Sequence, residues 1–208
     1  MYLFNRTRSA RPEKFTEAMA WAVQIAEKAS SILGTKVSVW GTVLSPDIST
    51  LSWTCAFDTL ADWADRSAGL AADQDYASSV TAAAPLFHGP VSDSMSGLIS
   101  GMSGNPEANN FVAVVRATAA SGHLAGAVQH GAALAAAATA TGGLNTVFGS
   151  SVTGNYGGVI WLTGAPTMAE LEASMNKTNA DPAFVALVDS GAANFQPNAT
   201  QSLHYRIS

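Results

Sequence analysis

The sequence predicts an α+β protein in which one structural unit of the β-α-β-β-α-β type is written twice. A strand, a helix and a second short helix are predicted over 51–80, and the same plan returns over 159–188, 108 residues further along the chain. Characteristic residues recur in register at that spacing, namely Trp53 and Trp161, Thr59 and Thr167, Asp62 and Glu170, Asp73 and Asp181, and Tyr76 and Phe184. An internal repeat explains this agreement between caps and strand centres.

The first half contains four predicted strands and three predicted helices. Alternating β-branched and aromatic residues indicate the strands, Pro12 and Gly34 suit the two ends of the first helix, and Thr59 suits the start of the second. Ser45-Pro46-Asp47 predicts a turn between strands. The predicted strands cover 2–8, 36–44, 50–57 and 94–100, and the predicted helices cover 12–33, 60–72 and 73–85.

The second half repeats this order after a linker at 101–109, where Gly, Ser, Asn and Pro cluster without an apolar pattern. The predicted strands cover 111–117, 144–152, 159–163 and 203–207, and the predicted helices cover 122–141, 168–178 and 183–188. The sequence therefore divides into repeat 1 at 1–100, the linker at 101–109 and repeat 2 at 110–208.

Each repeat has the ferredoxin-like order, with helices on one face of an antiparallel sheet. The strands are apolar on both faces: Val37, Val39 and Val43 alternate with Trp40 and Leu44. Because a bare apolar sheet face is an association surface, we expect the two repeats to pack sheet to sheet.

Composition excludes several classes of protein. The 208 residues are 48% hydrophobic and 12% charged, with a net charge of −5, which indicates a globular chain. The ten Lys and Arg are scattered, so nucleic acid is not an expected partner. Cys55 is the only cysteine, and the N-terminus lacks the apolar core of a signal peptide, so a cytoplasmic location is expected. The Ala-rich stretch at 124–141 predicts a buried helix, and no membrane partner is expected.

Short motifs in both halves resemble NIPSNAP-like proteins of the dimeric α/β-barrel superfamily. The motifs of the first half are Cys55-Ala56-Phe57, Thr59-Leu60-Ala61-Asp62 and Ala71-Ala72-Asp73-Gln74-Asp75-Tyr76. The second half keeps Thr167-Met168-Ala169-Glu170 and Ala180-Asp181-Pro182-Ala183-Phe184. The resemblance implies a tandem form of that superfamily, in which two ferredoxin-like repeats make a pseudo-dimeric α/β barrel.

A second resemblance is to the haem-degrading monooxygenases of the same superfamily. Asn5 on the first strand and Trp63 in the second helix match residues of that branch, and the resemblance implies that they contact a cofactor. The haem-ligating histidine has no match, because Asp73 lies near its expected place. The second half has Ala113 and Leu171 at the matching positions. The residues alone indicate no cofactor, and haem is the alternative that this resemblance implies.

Three histidines are candidate acid-base residues. His123 and His130 lie seven residues apart and share one helix face, at the positions that an ungapped alignment matches with Phe15 and Ala22. His204 shares one face of the last strand with Arg206. The alternative is that these are polar residues at element margins, satisfied by water or backbone.

Two arginines are candidate anion ligands. Arg8 and Arg116 are matched by the same alignment on the first strand of each repeat. A buried guanidinium needs an anion, so each predicts either a bound carboxylate or an ion pair, with Asp62 and Glu170 as partners. No metal-binding motif is present, and no metal is expected.

Three functions remain open from the sequence. The first is binding of a small apolar or carboxylate-bearing molecule in the cleft between sheet and helices. The second is a cofactor-independent or haem-dependent monooxygenase or isomerase with a cleft histidine. The third is a structural self-assembly module. A homo-oligomer of the pseudo-dimer is an expected assembly.

Overall fold

A computed structural model describes residues 1–44, 48–103 and 105–208. The turn predicted at Ser45-Pro46-Asp47 lies outside the described residues, as does Gly104 of the predicted linker. The chain forms two compact units, Met1–Met95 with Tyr205–Ser208, and Ser96–His204. The units are defined by which residues pack together. The division predicted from the sequence repeat, at 1–100, 101–109 and 110–208, stays a prediction. No helix in the described ranges combines the length and apolarity needed to cross a membrane.

Each repeat has the predicted order of strands and helices. The elements of the first are β1 (Tyr2–Ala10), α1 (Phe15–Leu33), β2 (Ser38–Val43), β3 (Thr50–Phe57), α2 (Leu60–Ala72), α3 (Gln74–Ala82) and β4 (Phe87–Ser100). The elements of the second are β5 (Phe111–Thr118), α4 (Leu124–Gly142), β6 (Thr146–Ser151), β7 (Gly158–Ala165), α5 (Met168–Ala180), α6 (Pro182–Ser190) and β8 (Thr200–Arg206). The α+β class with ferredoxin-like repeats is confirmed.

Helix ends follow the predicted capping chemistry. The Thr59 hydroxyl accepts from the Asp62 amide at 3.0 Å, and Thr167 forms a capping box with Glu170. Gly34 ends α1 with φ 63°, a left-handed conformation that glycine adopts without steric cost. These local signals fix α2 at the predicted residues.

In the first unit, β3 lies between β1 and β2, and all pairings are antiparallel. Strand β4 begins at Phe87 rather than at 94, because its exposed first half shows no alternation in sequence but is held against β1. Helix α1 covers this sheet with a stripe of small and branched residues, and Trp53 at the sheet centre donates its indole N–H to the Ala22 carbonyl at 3.1 Å. The core therefore lies between α1 and the β2–β3 pair.

In the second unit, β7 lies between β5 and β6, and the last residues of β4 pair with β6. Helix α4 covers the sheet, and Trp161 donates its indole N–H to the Gly131 carbonyl at 2.8 Å. Trp53 and Trp161 thus make the same contact in their own units, as the repeat predicts.

The strand register shows that the repeat has two spacings. Val39 pairs with Trp53, and Phe148 pairs with Trp161, so Phe148 is the counterpart of Val39 and lies 109 residues on, not 108. Helices α1 and α4 also differ by 109, whereas β3, α2 and α3 differ from their counterparts by 108. Val39 and Trp53 are therefore 14 positions apart in the sequence, whereas Phe148 and Trp161 are 13 positions apart.

This shift corrects the ungapped alignment within β1, α1 and β2. Arg8 pairs with Leu51 and its counterpart is Ala117, while Arg116 corresponds to Thr7. A one-residue slip in a strand moves a side chain to the other face. The expectation that Arg8 and Arg116 are equivalent is therefore wrong. The counterparts of Asn5, His123 and His130 are likewise Val114, Lys14 and Trp21, not Ala113, Phe15 and Ala22.

Candidate functional site: a cleft in the first unit

A cavity of about 730 Å³ lies in the first unit, between its sheet and its three helices. Binding sites for small molecules have volumes of this order and are mostly apolar with a few polar groups. The cavity is lined by one face of β1 and β3, by side chains of α1, α2 and α3, and by Val91 and Asp93 of β4. It lies between sheet and helices, where the resemblance to the dimeric α/β-barrel superfamily implies a cleft.

Strand alternation decides which residues of β1 enter the cleft. Phe4, Arg6 and Arg8 share one face of the strand and line the cavity. Their cross-strand partners include Cys55 opposite Phe4 and Trp53 opposite Arg6, and both of these also line it. The sheet thus presents aromatic, thiol and guanidinium groups side by side.

Aromatic rings form much of the wall. Trp63 of α2 stacks on Phe4 with ring centroids 6.4 Å apart. Trp21 of α1 meets Trp53 edge-on at 6.0 Å and Phe87 edge-on at 5.4 Å. Such offset and edge contacts fix the rings in place. A rigid aromatic wall suits a flat or cyclic apolar molecule.

Arg6 and Asp93 form an ion pair within the cleft lining. The Arg6 Nε and Nη2 atoms each donate to a different Asp93 carboxylate oxygen at 2.7 Å. Hydrogen bonding and charge from Asp93 raise the pKa of Arg6 despite burial, and the Tyr76 hydroxyl adds to the same effect. In this bidentate pair the Arg6 guanidinium binds a carboxylate of the protein itself.

Arg8 has no such partner. Its guanidinium carbon lies 4.0 Å from the centre of the Phe87 ring, a cation-π contact. No carboxylate of the described residues pairs with it. Burial, and then the charge of Arg6, lower the pKa of Arg8. The cleft therefore contains one half-buried cation whose charge is not neutralised by a neighbouring acid.

Cys55 lines the cleft as a neutral group. The side chain is buried, and this burial raises the pKa of its thiol to about 12. The thiolate is the nucleophilic form of cysteine, and it is nearly absent at neutral pH when the pKa is this high. Cys55 therefore contributes shape and polarizability to the wall.

The structure does not bring Asn5 and Trp63 together. Trp63 lines the cleft, but Asn5 lies between Phe4 and Arg6 on the strand and faces the opposite side of the sheet. Among the residues that the structure describes, the cleft lining contains no histidine, and its only sulfur ligand is the protonated Cys55. These residues do not fit the histidine-ligated haem that the resemblance implies.

The three candidate histidines also lie outside the cleft lining. His123 is the exposed N-terminal cap residue of α4. His130 packs by Phe195 with ring centroids 6.2 Å apart, in the place that Trp21 takes beside Phe87. Their predicted roles as acid or base stay predictions, without support from this cavity.

His204 lies in a separate environment on β8. Its Nε2 atom is 2.8 Å from the Ser202 hydroxyl oxygen. Burial and the charge of Arg116 lower the pKa of His204 to about 4. The imidazole is therefore neutral across the physiological pH range.

The ion pairs predicted for the two candidate arginines do not form. Asp62 pairs with Arg66, Glu170 caps α5, and Arg116 lies near His204.

Sequence reasoning missed Arg6, Asp93 and Tyr76 as cleft residues. Arg6 precedes Arg8 by two residues, and this spacing places both on one strand face. Asp93 gave no such signal, because it lies 87 residues from Arg6 in an exposed stretch. The described residues contain no group of three or more His, Cys, Asp or Glu side chains arranged to hold a metal ion.

Comparison with known proteins supports the fold and leaves the chemistry open. Over its whole length, the chain is similar to the solved structure of an anthrone oxidase-like protein, with 12% identity, a TM-score of 0.70 and 91% of that chain covered. It is also similar over its whole length to a protein assigned as a monooxygenase from Fusobacterium nucleatum, with 7% identity, a TM-score of 0.73 and 92% of that chain covered. The fold is that of the dimeric α/β barrels, in tandem form.

A NIPSNAP family protein is also among the solved structures that the chain matches over part of its length. One half of the chain, 49%, is similar to 95% of a NIPSNAP family protein from Agrobacterium tumefaciens, with 18% identity and a TM-score of 0.42. No protein-family model and no curated protein sequence matches the chain. Cytoplasmic location and homo-oligomer formation stay predictions from the sequence.

Proposed function

We propose that the first unit binds a small, mainly apolar ring compound in the cleft between β1, β3 and the three helices. The observation that carries this proposal is the cavity of about 730 Å³ with its wall of Trp21, Trp53, Trp63 and Phe4. A structural self-assembly module would not need such a space, since packed interiors leave few voids larger than a water molecule.

The proposal is binding rather than catalysis by a cleft histidine. The ionisable side chains of the lining are Arg6, Arg8, Asp93, Tyr76 and Cys55. Asp93 is held by Arg6, and Cys55 keeps its proton. None of these side chains is a histidine, the residue that most often serves as a general base in enzymes. One of the similar structures is named an anthrone oxidase-like protein, and anthrone is a ring compound, which agrees with this class of ligand.

Two measurements test the proposal. Native mass spectrometry of the purified chain is expected to show a co-purified small molecule that is lost on denaturation. Titration with N-phenyl-1-naphthylamine, an uncharged probe whose emission rises in apolar surroundings, is expected to show saturable binding. A parent protein that neither retains a ligand nor binds the probe contradicts the proposal.

A matched pair of variants locates the site. Ala77 is exposed on α3 at the edge of the cavity, so Ala77→Phe is expected to obstruct the cleft with little cost to the fold. Val185 is its counterpart on α6, and Val185→Phe is the control in the second unit. Probe binding is expected to fall at least about tenfold in the first variant, which corresponds to about 1.4 kcal/mol, and to stay unchanged in the second. Equal effects of the two variants would place the bound probe elsewhere.

A further inference from the structure

We infer that the ligand of this cleft carries a single anionic group, a carboxylate or its equivalent, which binds Arg8. This inference rests on the proposed function, because it names the chemical class of the compound held in the same cavity. It also assigns different roles to the two arginines of β1, which share a strand face and line one wall.

The first step is the difference in partners. Arg6 donates two hydrogen bonds of 2.7 Å to Asp93, so its charge is already balanced and its donors are engaged. Arg8 lies two residues away, with no carboxylate partner among the described residues. A half-buried guanidinium without a counter-charge is costly, and a bound anion removes that cost.

The second step is orientation. The Arg8 guanidinium lies against the Phe87 ring at 4.0 Å, and Phe87 is only 3% exposed and held edge-on by Trp21. This contact restrains the position of the Arg8 guanidinium before any ligand arrives. A planar guanidinium presents parallel N–H donors that match the two oxygens of a carboxylate. Arg8 is thus placed to receive such a group within a mainly apolar cavity.

The third step is the comparison with the second unit. Ala117 is the counterpart of Arg8 and Val115 that of Arg6, so the second sheet presents no cation at either place. Phe195 packs against His130 where Phe87 packs against Trp21 and Arg8. The described residues of the second unit therefore contain no counterpart of this anion site, although the fold occurs twice.

The experiment compares two probes of equal shape. Quenching of tryptophan fluorescence is followed with 2-anthracenecarboxylate and with its uncharged carboxamide, on the full chain. Because charge-assisted hydrogen bonds stabilise more than neutral ones, we expect the carboxylate to bind roughly tenfold to a hundredfold more tightly. The expected stoichiometry is one carboxylate per chain.

Three variants assign the preference to Arg8. Arg8→Gln is expected to remove the preference for the carboxylate while leaving carboxamide binding within about twofold, which also shows that the cleft is folded. Arg8→Lys is expected to keep part of the preference, since it keeps the charge without the planar fork. Arg116→Gln is the matched control outside the cleft and is expected to change neither probe.

The outcomes separate the two proposals. Equal binding of carboxylate and carboxamide by the parent overturns the anion inference and leaves the proposed function standing. A preference that survives Arg8→Gln also overturns it. Failure of both probes to bind contradicts the proposed function itself. Two carboxylates per chain would contradict the difference between the units.

Discussion

The substitution Gly131→Ala tests the close steric fit between helix α4 and strand β6. A Cβ atom at Gly131 would lie in hard contact with the ring of Phe148, and Phe148 is fully buried and packed on Trp161 at 5.3 Å. In the first unit the counterparts are Ala22 and Val39, a larger helix residue facing a smaller strand residue. In each unit the helix residue and the strand residue fill a similar space. In the second unit the strand side chain is large and the helix residue is glycine, whereas in the first unit the strand side chain is smaller and the helix residue is alanine.

The expected magnitude follows from two opposing terms. Overpacking a tight core costs about 1–3 kcal/mol, and the fixed ring favours the upper part of that range. Replacing glycine by alanine within a helix returns about 1 kcal/mol. The net loss in the free energy of unfolding is therefore about 1–2 kcal/mol, which lowers the melting temperature by roughly 2–8 °C in a chain of this size.

The same substitution is expected to change sign when the ring is absent. In the Phe148→Val background, Gly131→Ala fills space instead of invading it, and it should stabilise the chain by about 1 kcal/mol. Urea unfolding followed by circular dichroism, on the parent, both single variants and the double variant, gives a coupling energy of about 2–3 kcal/mol. An effect of Gly131→Ala that is equal in both backgrounds would refute the steric pairing of Gly131 with Phe148.

Three further predictions concern other residues. Trp53→Phe and Trp161→Phe each remove the indole N–H that donates to a helix carbonyl, that of Ala22 or that of Gly131. Each is expected to lower the free energy of unfolding by about 1–2 kcal/mol, measured by thermal unfolding. A neutral result for either variant contradicts their common role. Cys55 is expected to react with a disulfide reagent at pH 8 roughly a thousandfold more slowly in the folded than in the unfolded chain, and fast labelling of the native protein would show an accessible thiolate. The pKa of His204 is about 4 in the folded chain against an ordinary 6.5, so between these values the unfolded chain binds more protons and stability falls as the pH is lowered. Urea midpoints at pH 7 and 5 in the parent and in His204→Gln measure this, and an unchanged pH dependence in the variant contradicts it.

Local chemistry made much of the fold predictable from the sequence. Thr59 and Thr167 mark helix starts through their hydroxyl groups, Gly34 marks a helix end through its left-handed backbone, and the alternation over 50–57 marks a central strand. These signals act within a few residues, so they survive without knowledge of the tertiary structure. The repeat itself was visible for the same reason.

The cleft was harder to predict because it depends on long-range pairing and on exact register. Arg8 was a candidate, but its supposed equivalent, Arg116, faces the other side of its sheet after a shift of one residue. The partner that separates Arg6 from Arg8 is Asp93, which only tertiary structure brings near. Sequence spacing gives the face of an element, while the choice between a paired and an unpaired arginine depends on a strand 87 residues away.

The two spacings of the repeat also define which segments could be exchanged between the two units in a chimera. Strand β1, helix α1 and strand β2 share the 109-residue spacing as one block, and β3, α2 and α3 share the 108-residue spacing as another. A chimera can join the first block of one unit to the second block of the other. It should keep the strand register when the junction lies in the connection between the two blocks. Arg6 and Arg8 enter with the first block, whereas Asp93 and Phe87 lie on β4, so anion recognition would move between the units only if β4 moved as well.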